Sequence, residues 1–160
     1  MKIALVRVDS RLIHGQILEA WVPHTRAALL VVLNDEAAGS ELARTVLTTC
    51  VPPTIRVIVA RVAEAASLNG SPELADAPAI VLVATPADAL AAHRAGLPFT
   101  RLNLGNLHYA PGKEQVSPTV CLGEEDRAAL VALEARGVVI EAQAVPRERP
   151  RPYRELVRAR

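Results

Sequence analysis

The stretch Ile3-Ala4-Leu5-Val6-Arg7-Val8, followed directly by Asp9-Ser10-Arg11-Leu12-Ile13-His14-Gly15-Gln16, sets the reading of the whole chain. Its first part is a short apolar run of strand length, and its second is a polar turn opening into a helix. Further apolar runs follow near Ala28–Leu33, Ile55–Ala60, Ile80–Val83 and Leu102–Leu104, with two later ones near Val120–Leu122 and Val138–Ala144. Between them lie helical patterns at about His14–Val22, Ser40–Val51, Val62–Leu68, Pro86–Ala95 and Glu124–Ala135. Apolar strands alternating with amphipathic helices predict an α/β fold, a single open, mostly parallel sheet with helices on both faces.

Several boundaries carry their own chemistry. Thr85-Pro86-Ala87-Asp88 supplies a capping hydroxyl, a proline at the first helical position and an acid in the first turn. Gly96 sits where a C-cap belongs, Pro52-Pro53 stops the second helix, and Gly137 ends the last one.

With 160 residues and 51% hydrophobic content, the chain is the size of one domain. The segment Pro146–Pro152 reads as a linker, so that residues 1–145 form the domain and residues 146–160 a basic tail ending in a short helix. Between Arg147 and Arg160 six arginines face only Glu148 and Glu155, the composition of a solvated end or of a contact for an acidic partner. The overall charge of +1 and an aromatic content of 2% leave no footprint for nucleic acid. Cys50 and Cys121 are isolated, in apolar surroundings, and read as small buried residues; they form no CxxC motif. The first residues lack a signal-peptide pattern, and no apolar run reaches membrane-spanning length, so a soluble cytoplasmic protein is expected.

The chemistry concentrates at the end of the first strand, where an open parallel sheet binds its ligands. The loop Asp9–Gln16 holds a nucleophile in His14, a permanent cation in Arg11 and a flexible Gly15. A neutral imidazole can take a phosphoryl group directly, while helix-start amides and a guanidinium hold its oxygens. The same residues also fit a plainer reading, with His14 as a capping or packing residue and Asp9/Arg11 as an ordinary ion pair. Neither a Gly-x-Gly-x-x-Gly nor a Walker-type glycine loop is present, and no metal-ligand spacing is seen.

The eleven residues Val6–Gln16, followed by Trp21, resemble the R-I-D-D-R-L-I-H-G-Q-V…W signature of the mannose/fructose/sorbose-family IIB components of sugar phosphotransferase systems. The likeness continues in order through Val31–Glu36, Val51–Pro53, Arg101–Lys113, Glu124–Asp126 and Gly137, covering about residues 1 to 145. It implies a mostly parallel sheet of about seven strands, and a phosphocarrier that accepts a phosphoryl group on His14 from a phosphorylated IIA protein. The group would pass to a sugar in the membrane IIC/IID complex, with which the chain would associate peripherally. No cofactor is implied, and a homo-oligomer is left open. Arg11 matches the phosphate-stabilising arginine, and Asp9 and Gln16 match supporting loop positions. Ser10 stands where the family has a second aspartate, Thr85 where it has asparagine, and Leu107 where it has methionine.

Asn34, Asp35, Thr85, Gly105 and Asn106 each follow a predicted strand, so all belong at the same edge of the sheet, as crevice lining or as caps and turns. His108 belongs near that edge too. His24 and His93 fall towards helix ends, and Tyr109 and Trp21 read as packing residues or partner contacts. Three functions fit: a sugar-specific phosphocarrier, a regulatory phosphorelay protein of the same fold, and a non-enzymatic anion-binding module, which would have no need of the imidazole.

Overall fold

The computed structural model describes residues 1–158; Ala159 and Arg160, the end of the basic tail, lie outside them. Strands β1 (Lys2–Asp9), β2 (Leu29–Leu33), β3 (Arg56–Ala60), β4 (Pro78–Val83), β5 (Arg101–Asn106) and β8 (Val139–Ala142) run parallel. A two-residue strand β9 (Arg151–Pro152) adds antiparallel to β8, giving a seven-stranded sheet in the order β3-β2-β4-β1-β5-β8-β9. Strands β6 (Glu114–Ser117) and β7 (Val120–Leu122) form a separate antiparallel hairpin.

The alternation of side chains along each strand divides the core into two layers. Val6, Val8, Val31, Leu33, Val81 and Val83 point to one face, packing with Ala89 and Leu90 of α5 (Pro86–Arg94) and Leu130 and Leu133 of α6 (Glu124–Ala135). Leu30, Val32, Ile80 and Leu82 point to the other, against Leu12, Ile13, Ile17 and Trp21. Burial on both faces is why the central strands read as unbroken apolar runs. Each such Val, Leu or Ile contributes about 1.5–3 kcal/mol.

After β1 the chain runs through a π-helical turn (Ile17–Trp21) into α1 (Val22–Thr25) on the Trp21 face, and returns as β2. From β4 it crosses the opposite face through α5 to β5. The strand order thus turns back beside β1, leaving a crevice at the carboxyl ends of β1 and β5, the usual ligand position in such sheets.

Some details differ from the sequence reading. Val120–Leu122 pairs with β6 instead of entering the main sheet, because the hairpin returns the chain directly to α6 on one face. The stretch Ser40–Val51 is helical over α3 (Glu41–Thr48), where the Ser40 hydroxyl accepts from the Ala43 amide. Cys50 is exposed at the end of α3, whereas Cys121 is buried. The segment after 145 is anchored by its other residues while its described arginines stay exposed: β9 pairs with β8, and α7 (Tyr153–Arg158) buries Tyr153 and Leu156 in the core.

Candidate active site

His14 is held at the end of β1 by a turn whose apolar residues face inward. The Leu12 amide donates to the Asp9 carbonyl (2.9 Å), and Leu12 adopts the left-handed conformation, with φ of 57°. A non-glycine residue takes that conformation at a cost. Burial of Leu12 and Ile13 in the Trp21 layer offsets it. The turn is tied to β5 by the Ser10 amide, which donates to the Asn106 carbonyl (2.8 Å), and the Ser10 hydroxyl accepts from the His108 amide (3.3 Å). The His14 carbonyl accepts from the amides of Ile17 and Leu18, so the imidazole stands at the start of the helical turn.

Asp9 is the hub. Its side chain is fully buried, and its Oδ2 lies 2.9 Å from His14 Nε2. The same oxygen accepts from Arg7 Nε (3.2 Å) and Nη2 (3.0 Å), while Oδ1 accepts from the Arg11 amide (3.1 Å). Behind it, Arg7 is also fully buried and spends its remaining donors on Asn103 Oδ1 (2.6 Å) and the carbonyls of Gln143 (2.9 Å) and Ala144 (3.2 Å). Each of its five N–H groups thus has an acceptor, which a buried charge requires. The Trp21 ring lies 5.2 Å from the guanidinium carbon, and its Nε1 donates to the Ala144 carbonyl (3.1 Å). Gly105 is obligatory here: a Cβ on it would fall inside the Arg7 guanidinium.

These contacts fix the charges. Burial lowers the Arg7 pKa and the Asp9 charge opposes that, yet a guanidinium stays protonated. For Asp9, burial acts to raise the pKa, but the His14 hydrogen bond, the Arg7 charge and the Arg11 amide outweigh it and hold the carboxyl below its ordinary value. An ionised carboxylate only accepts, so the neutral imidazole carries its proton on Nε2 and its free lone pair on Nδ1. Beside it the Arg11 side chain is 44% exposed, its Nε 3.8 Å from Asp9 Oδ1. Arg11 is therefore a loosely held cation at the mouth, and the tight partner of Asp9 is Arg7.

The other edge residues are occupied elsewhere. Asn34 caps α2 (Asp35–Ala38), Asp35 Oδ1 accepts from the Val62 amide (2.9 Å), and Thr85 Oγ1 accepts from the Asp88 amide (3.1 Å). Among the described residues no hydrogen bond joins Asp35 or Thr85 to His14. Gly15 is exposed and unhindered, and Gln16 lines a groove with Glu19, His24 and Arg147. Asn106 meets His108 side chain to side chain, at 3.4 Å. No group of three or more His, Cys, Asp or Glu among the described residues could hold a metal ion. Sequence reasoning gave no site role to Arg7, Asn103 or the carbonyls after β8. The available signal was a lone arginine inside an apolar strand.

The doubly wound sheet thus presents one histidine, backed by a buried carboxylate, at the end of a strand. The family model described as the PTS system sorbose subfamily IIB component matches residues 3–160, and the chain belongs to that family. It is 32% identical over 145 residues to the sorbose-specific EIIB component of Klebsiella pneumoniae, covering 91% of this chain and 88% of that protein. It is 33% identical over 145 residues to the mannose-specific EIIAB component of Escherichia coli K12, where it spans only 45% of the relative's length. The crystal structure of the IIBSor domain of the Klebsiella pneumoniae sorbose permease superposes with a TM-score of 0.92 at 30% identity, covering 99% of this chain and 97% of that one. No helix of the described residues is long and apolar enough to cross a membrane.

Proposed function

We propose that this chain carries phosphoryl groups on His14 Nδ1, receiving them from a phosphorylated IIA-type protein and delivering them to a sugar at a membrane IIC/IID complex. It would act in the cytoplasm, as a protein-N(π)-phosphohistidine–sugar phosphotransferase component. The observation that carries the reading is the 2.9 Å contact of His14 Nε2 with a buried carboxylate whose pKa is held down by that bond and by the Arg7 charge. A histidine serving only as a helix cap has no need of such a partner.

In the first step the Nδ1 lone pair attacks phosphorus, the donor's bond to phosphorus breaks, and the donor keeps that electron pair. The Nε2 proton stays in place, and the positive charge that the ring gains is met by Asp9. Arg11 and the amides at the helix start face the equatorial oxygens, whose charge they stabilise. In the second step a sugar hydroxyl attacks the same phosphorus and gives up its proton to water, while the nitrogen–phosphorus bond breaks and its electron pair returns to Nδ1.

Incubation with a phosphorylated IIA donor, followed by mass spectrometry under alkaline conditions that preserve phosphohistidine, should find one phosphoryl group, on His14. Normal labelling of His14→Ala would refute the assignment.

A further inference from the structure

Two of the acceptors that hold Arg7 belong to no strand or helix. The carbonyls of Gln143 and Ala144 lie in the turn that follows β8, and they accept from Arg7 Nη1 (2.9 Å) and Nη2 (3.2 Å). The Ala144 carbonyl also accepts from Trp21 Nε1 (3.1 Å). A fully buried guanidinium is only as well placed as its acceptors, so whatever fixes this turn also fixes Arg7.

The backbone anchors the turn at its two ends, where the Gln143 amide donates to the Leu104 carbonyl and the Glu148 amide to the Val145 carbonyl, both at 3.0 Å. Side chains close the span between. Gln143 Nε2 donates to the carbonyls of Pro146 (3.2 Å) and Glu148 (2.7 Å), which uses both protons of its amide. Glu148 Oε2 in turn accepts from the Ala144 amide (3.2 Å), and its carboxylate is a second negative charge, beside that of Asp9, that favours the charged form of Arg7. The charged and titratable groups that face Asp9 are Arg7, Arg11 and His14. A chain of contacts therefore runs from the Gln143 amide through the turn carbonyls, Arg7 and Asp9 to the imidazole. Its outer end admits only a donor, since both groups that Nε2 meets are carbonyls. A glutamate of the same shape would set an acceptor against two acceptors.

On the phosphocarrier reading of His14, on which this rests, we propose that the Gln143 side chain is a positioning residue for transfer: by closing the turn from 143 to 148 it aims two carbonyls at Arg7, and so keeps Arg7 against Asp9 and the ring proton on Nε2. It touches neither the phosphoryl group nor the imidazole and acts only through that chain. With the turn open, Arg7 loses acceptors for Nη1 and Nη2 and moves off Asp9. The Asp9 carboxylate, less compensated, then takes up a proton at higher pH.

The test compares the whole wild-type chain with Gln143→Glu and Gln143→Met in three measurements: the ring nitrogen shifts of His14 by NMR without any donor, single-turnover transfer from a phosphorylated IIA donor between about pH 5 and pH 8, and the melting temperature. The wild-type ring should be protonated on Nε2, and Gln143→Glu should show a mixture of tautomers. Its transfer at neutral pH should be slower by roughly tenfold to a hundredfold, as for the supporting partners of metal-bound imidazoles, with the acid limb of the rate profile moved to higher pH. Gln143→Met, which keeps the bulk and removes the donors, should change in the same direction by less, and it decides by the same criteria if Gln143→Glu does not fold. Wild-type ring shifts with an unmoved acid limb in a folded variant would overturn the proposal, because a residue that merely braces the turn lowers the melting temperature alone. A wild-type ring protonated on Nδ1 would overturn it as well. The ring shifts need no donor, so they are read even if wild-type His14 fails to label, which is the result that would refute the carrier reading instead.

Discussion

Asp9 Oδ2 stands 2.9 Å from His14 Nε2, with the carboxylate fully buried and the imidazole side chain 13% exposed. In the proposed transfer that contact would leave Nδ1 as the nucleophilic nitrogen, with the compensating charge on the side of the ring remote from the incoming phosphorus. A rigid acceptor on Nε2 does for this imidazole what a buried aspartate does for the general base of a hydrolase.

Asp9→Asn should therefore disable transfer without removing a single heavy atom. An amide nitrogen facing Nε2 donates instead of accepting, which moves the ring proton to Nδ1 and occupies the attacking lone pair. Single-turnover transfer should fall by roughly 10²–10⁴-fold. A rate within a factor of three of wild type would remove Asp9 from the mechanism.

The pH dependence follows from the lowered pKa of Asp9. A carboxyl whose folded-state pKa is depressed stabilises the fold above its ordinary range near about 4, and that contribution disappears as pH drops through the lower folded value. Thermal melts from neutral pH downward should show the wild type losing stability below about pH 4 faster than Asp9→Asn, narrowing the gap between them. Parallel curves would contradict the assignment.

Arg11 is expected to matter for rate and not for stability, since its side chain is 44% exposed and only 3.8 Å from Asp9 at its nearest. A donor aimed at developing charge is worth about 2.7–4 kcal/mol. Arg11→Lys should slow transfer by roughly a hundred- to a thousand-fold, because one ammonium cannot replace a planar fork, with the melting temperature unchanged. If the lysine variant kept the rate while Arg11→Ala melted early, Arg11 would be a structural ion-pair residue.

Gly105→Ala tests the buried half of the site. The new methyl group would overlap the Arg7 guanidinium, which cannot retreat without breaking hydrogen bonds to Asp9, Asn103 and two carbonyls. Overpacking costs about 1–3 kcal/mol, and displacing a buried ion-pair partner about 3–5 kcal/mol. A variant that still folds should transfer poorly; one with wild-type melting and rate would show that Arg7 lies elsewhere.

The parallel sheet is legible in the sequence because unbroken runs such as Leu29–Leu33 are buried on both faces, and burial writes itself into composition. His14 and Arg11 stand out there because they share one short loop. Arg7 does not, because three of its five hydrogen bonds reach across the fold: Asn103, Gln143 and Ala144 lie 96, 136 and 137 residues away, and Asp9 must turn inward to take the other two. The last strand is hidden for a similar reason, although Val138–Ala144 is legible as β8. The pair Arg151–Pro152 carries no strand signal and enters the sheet only because β8 offers an edge.

The π-helical turn Ile17–Trp21 has a consequence for how this sequence can change length. A π turn holds one more residue than an α turn over the same rise. Removing one residue between Gly15 and Ala20 would restore an ordinary α turn and leave Trp21 on nearly the same side of the helix, still over Arg7 and within reach of the Ala144 carbonyl. In the regular helix α6 the same deletion would rotate everything after it by about 100°. The stretch from His14 to Trp21 should thus absorb the loss of one residue, whereas α6 should accept substitutions but not single-residue deletions.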